Sequence, residues 1–200
     1  MLTLYHSPMA RSARIYWLLE ELGIPYELRR VEFVPPERPF AQATPTGKVP
    51  TLEDGDITLF ESGAILEYVL ERHGEGRLAP PPGSPLRGRF LQWVHFAEST
   101  AFAPLGNIAW HLMQRKDADQ IPTAMADYRE WAIAALDVLE RALADGPYLL
   151  GEELSGADVM MGYTVQVAHW FQLVGPRHAR VAAYLERLAA RPAFQRTITS

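Results

Sequence analysis

The chain has 200 residues, 48% of them hydrophobic, enough for one or two compact domains whose cores need no covalent staples. With 24 acidic against 19 basic residues, a formal charge of −5 and no long basic run, it offers no complement to nucleic acid or to an anionic membrane surface, and a small-molecule ligand is expected. It contains no cysteine, which excludes a disulfide framework, a protein thiolate and any cysteine-based metal site.

The first 72 residues alternate short apolar runs with helix-period segments, a mixed α/β pattern. Leu2, Leu4 and Tyr5 give a brief strand, followed by Ile15, Leu18, Leu19 and Leu22 at helical spacing up to a stop at Gly23. Tyr26, Leu28 and Val31 read as a second strand, and the proline-rich stretch 32–43 as a loop with a short helix. Residues 49–52 and 57–60 flank Asp54-Gly55, a turn signal that predicts a hairpin. A helix over 62–72 then turns Ile65, Leu66, Val69 and Leu70 inward. This first domain is expected over 1–78. Residues 79–85 are too proline-rich for helix or central strand and predict a linker. Beyond it, 86–114, 122–143, 157–173, 179–190 and a short piece after Pro192 all read as helix, so 86–200 predicts an all-α helical bundle.

The densest chemistry lies in the run 45–68, PTGKVPTLEDGDITLFESGAILEY. Val49-Pro50 places a residue without an N–H at the margin of a strand, where the Val49 backbone can pair with an extended peptide. Glu61-Ser62 opens an apolar-periodic helix, whose unpaired N–H groups and dipole favour a ligand carboxylate. Each feature has a plainer reading: Ser62 as an N-cap, Lys48 as a solvated charge, Pro50 as a turn proline. Their spacing favours a peptide site. His95, His111, His169 and His178 show no metal-binding spacing, so no metal is expected. Ser155-Gly156-Ala157-Asp158 is a helix-capping pattern. No charged start followed by an apolar stretch opens the chain, and no segment approaches about 18 uninterrupted apolar residues, which suggests a cytoplasmic protein without a membrane span.

The run 45–68, the strand-like Leu2-Thr3-Leu4-Tyr5, the helix 12–23 and the elements Leu150-Gly151 and Ser155-Gly156-Ala157-Asp158 together resemble the cytosolic glutathione transferases over nearly the whole chain. The resemblance implies a thioredoxin-like N-terminal domain, an all-helical C-terminal domain and a homodimer, with glutathione as co-substrate. It implies that Val49, before a cis-Pro50, pairs with the cysteinyl backbone. Glu61 and Ser62 would hold the γ-glutamyl end, and Lys48 the glycyl carboxylate.

The thiol needs help, because an unperturbed one, at about 8.5, is mostly protonated at neutral pH. The family keeps the helping group at the exit of the first strand. In this sequence the usual serine position falls on Met9, and the cysteine position of the bacterial beta class on Arg11. By similarity to members with an "S-R-S-x-R" helix start, Ser12 is the expected hydroxyl donor, with Arg11 adding positive field. Tyr5 is expected in a strand and His6 in a loop. An apolar co-substrate is expected near Met9, Phe102, Trp110, His111 and Met113, against the first bundle helix. Ser99 and Thr100 stand where the beta class carries a histidine and a lysine. The reaction expected is attack of the glutathione thiolate on an electrophilic hydrophobic small molecule. Glutathione-dependent disulfide or peroxide reduction, and a non-catalytic binding or regulatory role, are the alternatives.

Overall fold

A computed structural model describes residues 1–32 and 44–200. The loop and short helix expected over 32–43 thus lie, apart from Glu32, outside the described residues. The chain divides into two compact units, Met1–Pro81 together with Ala189–Ser200, and Pro82–Leu188.

The first unit is built on a four-stranded mixed sheet in the order β2-β1-β3-β4, with β1 Leu2–His6, β2 Tyr26–Arg30, β3 Thr51–Asp54 and β4 Ile57–Phe60. Strand β1 runs parallel to β2 and antiparallel to β3, and β3 and β4 form the expected hairpin. The hairpin turns through Gly55 at φ +60°, a conformation that a residue without Cβ adopts freely. Helix α1, Ser12–Leu22, buries Ile15, Trp17, Leu18 and Leu19, and ends where Gly23 takes a left-handed conformation. Helix α2, Ser62–His73, buries Ile65, Leu66, Val69 and Leu70. This mixed sheet with its helices is the thioredoxin-like domain that the sequence implied.

The second unit is helical: α3 Arg87–His95, α4 Phe102–Ala109, α5 Pro122–Ala142, α6 Gly156–Trp170 and α7 Ala179–Ala189, the last residue of which falls in the first unit. The single helix expected over 86–114 is interrupted by π-helical turns at Phe96–Thr100 and Trp110–Arg115. Pro104 accounts for the first. It has no N–H to offer the carbonyl four residues back and its ring crowds that position, so the preceding turn widens and Ala101 N–H bonds Phe96 O at 2.9 Å.

Two further expectations change. His6 is no loop residue: it completes β1 and is fully buried. The C-terminal twelve residues group with the first unit instead of the bundle. Helix α8, Pro192–Thr197, seats Phe194 edge-on against Trp17 of α1 at 4.9 Å, while Arg196 pairs with Glu20 at 2.7 Å and Arg191 with Glu21.

Candidate functional site

Strand β3 begins two residues after Val49, so the Val49 backbone lies beyond the last ladder pair, Tyr5↔Thr51. The Val49 side chain packs inward on Tyr5 with Ala10 and Val31. Its peptide bond to Pro50 is cis. The Lys48 carbonyl accepts the Thr51 hydroxyl at 3.2 Å, which ties this bend to β3. A backbone margin held in this way is open to an extended partner.

At the far side of the same cleft, Glu61 precedes α2 with φ +71° and ψ 114°, a left-handed region that side chains rarely enter. It is exposed, whereas Ser62 beside it is buried. The Ser62 hydroxyl accepts a hydrogen bond from Nη1 of Arg14 at 3.0 Å. Guanidinium only donates, so that contact takes a lone pair of Ser62 and leaves its own O–H to point elsewhere. The side chain of Arg14 is fully buried, a cation held behind the first turn of α2, where the helix N-terminus already favours an anion.

One cleft is lined by Arg11, Thr46, Lys48, Val49, Pro50, Phe60, Glu61 and Ser62. It gathers six of the residues that the sequence singled out for the peptide and its thiol. Thr46 and Phe60 are additions, and Phe60, an exposed aromatic ending β4 just before Glu61, carried a readable signal. Arg14 was missed as well. Its signal was a cation on the apolar face of α1, directly before Ile15.

Ser12 lies elsewhere than expected. It does not line the cleft, is fully buried, and its Oγ sits 2.9 Å from His6 Nδ1, accepts the Ser7 N–H at 3.2 Å and lies 3.3 Å from Ser7 O. Burial holds the His6 imidazole below its ordinary pKa, against the opposing effect of its bond to Ser200, and Arg30 lowers it further. Tyr5 stands in β1 as read from the sequence, donating to Glu53 at 3.0 Å and accepting from Arg29 at 3.0 Å.

Met9, exposed and at φ +57°, belongs to the first unit. The other residues assigned to an apolar co-substrate belong to the second. Trp110 and Met113 are exposed on the second π turn, and Phe102 stacks on Tyr163 at 5.7 Å. His111 is bonded through Nδ1 to Asp117 at 2.7 Å and stacked on Tyr128. No helix among the described residues is long and apolar enough to cross a membrane.

Two family models match the chain: the glutathione S-transferase N-terminal domain over residues 1–71 and the glutathione S-transferase C-terminal domain over residues 122–190. The glutathione S-transferase-like protein OpS6 of Beauveria bassiana is 33% identical over 199 residues, covering 92% of this chain and 87% of that protein. Among solved structures, a glutathione transferase from Methylococcus capsulatus aligns with a TM-score of 0.83 at 29% identity, covering 99% of this chain and 97% of the other. Glutathione transferase URE2P6 from Phanerochaete chrysosporium, in complex with oxidised glutathione, aligns with a TM-score of 0.86 at 26% identity, covering 98% and 94%.

Proposed function

The chain belongs to the glutathione S-transferase family, and from that premise we propose that its cleft binds glutathione and activates the thiol for attack on an electrophilic hydrophobic small molecule. The observation that carries the reading is the meeting, in one cleft, of the Val49 margin with Glu61 and Ser62 at the start of α2. A tripeptide with a backbone, an amino group and carboxylates makes those demands together. Glu61 meets the γ-glutamyl ammonium. The Ser62 O–H and the first N–H groups of α2, with Arg14 behind them, meet its carboxylate. Lys48 serves the glycyl carboxylate, and Val49 pairs with the cysteinyl backbone.

Arg11 is the cation on the cleft wall at the start of α1, and it holds the sulfur as thiolate. The thiol proton leaves to solvent and the sulfur pair forms the C–S bond. The leaving group departs with its electron pair, or a conjugated bond accepts the pair and then a proton from water. Holding both reactants and keeping the sulfur charged supplies the rate, with no covalent enzyme intermediate. The residues assigned to the electrophile are Met9 in the first unit and Phe102, Trp110, His111 and Met113 in the second. The working form is a cytoplasmic homodimer without a metal.

Glutathione-dependent reduction is a second reading. It is favoured by the oxidised glutathione in the URE2P6 complex, and the missing cysteine is no obstacle because a second glutathione resolves a mixed disulfide. Turnover of a disulfide substrate with none of an aryl halide would establish it.

The test of the main reading is calorimetry with glutathione on the unaltered chain, Glu61→Ala and Ser62→Ala, joined to an ultraviolet titration of the bound thiol. Each substitution is expected to weaken binding about tenfold, the loss of one charge-assisted hydrogen bond. Unchanged affinity in both, or a bound thiol that titrates like free glutathione, overturns it.

A further inference from the structure

His6 is a buried titratable group for which the proposed chemistry has no use, yet its bonds run to the turn that presents Arg11. Nε2 lies 2.7 Å from Ser200 O and Nδ1 lies 2.9 Å from Ser12 Oγ. Ser200 O can only accept, so Nε2 carries the proton of the neutral ring and Nδ1 is the bare lone pair. The hydrogen between Ser12 and His6 must therefore come from the serine. With that proton committed, Ser12 Oγ keeps its lone pairs for the Ser7 N–H at 3.2 Å. The Ser7 carbonyl takes the Ala10 N–H at 3.3 Å, which closes the turn leading into Arg11 and α1.

We propose that His6 is a positioning residue for the thiolate end of the cleft: by taking the Ser12 hydroxyl proton it orients Ser12 toward Ser7 and fixes the turn over 7–11 that carries Arg11. This rests on the reading that the cleft holds glutathione with its sulfur near Arg11. It also redefines Ser12, which serves the backbone of that turn and does not donate to sulfur. The relay has a direction, from Ser7 N–H to Ser12, from Ser12 O–H to His6, and from His6 N–H to Ser200. A doubly protonated imidazole would present N–H at both ends and reverse the middle bond, turning the Ser12 hydrogen toward Ser7 O at 3.3 Å. The surroundings oppose that state. The ring is fully buried, with the Tyr16 ring centred 5.2 Å away at a steep angle to it and the positive charge of Arg30 acting on it.

The test uses the full chain with Ser12→Ala, His6→Phe, His6→Asn and the double variant Ser12→Ala/His6→Phe. Phenylalanine fills the site without an acceptor, whereas the Asn oxygen stands where Nδ1 stood. Ser12→Ala and His6→Phe are expected to raise the titration of the bound thiol by about one pH unit and to lower kcat roughly tenfold. The KM for glutathione should move less than twofold, since the tripeptide's anchors lie at Val49, Glu61 and Ser62. The double variant should be no worse than either single one, as for two members of one chain of bonds. His6→Asn should recover part of the loss. An unshifted thiol in Ser12→Ala overturns the inference even if His6→Phe fails to fold, and so do additive losses or an effect confined to KM. Failure of the unaltered chain to bind glutathione would instead sink the reading beneath it.

Discussion

Glu61 joins two demands at one residue. Its side chain faces the cleft, while its backbone, at φ +71°, occupies a region that costs a residue with a Cβ about 1 kcal/mol or more. Binding and folding therefore pull the position in opposite directions, and two substitutions separate them. Glu61→Ala removes the carboxylate and keeps the strained backbone. Glu61→Gly removes both. In urea denaturation, Glu61→Gly is expected to be about 1 kcal/mol more stable than Glu61→Ala, although glycine usually destabilises an ordered chain. Both should bind glutathione about tenfold more weakly. Equal stability of the two would mean that the left-handed backbone costs nothing here. Ser62 differs in kind: Ser62→Ala also removes one acceptor of the buried Arg14, so its effect on stability must be measured beside its effect on affinity.

At the level of elements, the start of α6 shows how one buried carboxylate holds three segments. Asp158 accepts the Ser155 N–H at 2.8 Å and its hydroxyl at 2.7 Å, the Leu149 N–H at 2.9 Å and the Tyr184 hydroxyl at 3.0 Å. The cap, the loop before it and α7 thus meet on a side chain that is fully buried. Asp158→Ala leaves those donors unpaired in the interior, and a loss of about 3 to 5 kcal/mol is expected in chemical denaturation. The glutathione affinity of the folded fraction should be unchanged, since Asp158 belongs to the second unit and the cleft to the first. A variant of normal stability would contradict the role given to this carboxylate. Half of the arrangement was readable in advance. Ser-x-x-Asp before an apolar run is a local pattern, so the sequence announces it. The Leu149 and Tyr184 bonds come from 9 and 26 residues away, and no spacing rule reports a contact of that kind. The π turn at Phe96–Thr100 had a local signal too, in Pro104, but helical periodicity over 86–114 masked it.

The same division between local and distant runs through the whole molecule. Lys48, Val49, Pro50, Glu61 and Ser62 were legible because they lie within fifteen residues of one another on a strand margin, a hairpin and a helix start. Arg14 and the true setting of Ser12 and His6 were not, because Arg14 meets Ser62 across 48 residues and His6 meets Ser200 across 194. The burial of His6 gives the first unit a definite dependence on pH. His6 is held below its ordinary value by burial, so the unfolded chain takes up a proton there before the folded one does. Its contribution is complete above about pH 6.5 and is lost as the pH falls below that value, with a limiting slope of about 1.4 kcal/mol per pH unit. Asp54 is held below the carboxylate range mainly by its bond to His73 at 2.8 Å, with Tyr68 adding a second, and Glu20 chiefly by the hydroxyl of Tyr26. Their contributions are present above the ordinary carboxylate pKa and vanish only as the pH falls through their lower folded values. Stability followed by urea titration from pH 8 to pH 3 should therefore decline in two stages. His6→Asn should abolish the first stage and keep the second, while Asp54→Asn should weaken only the second. A first stage that survives in His6→Asn would show that another group takes up the proton, and that His6 is not the residue whose neutral form the fold requires.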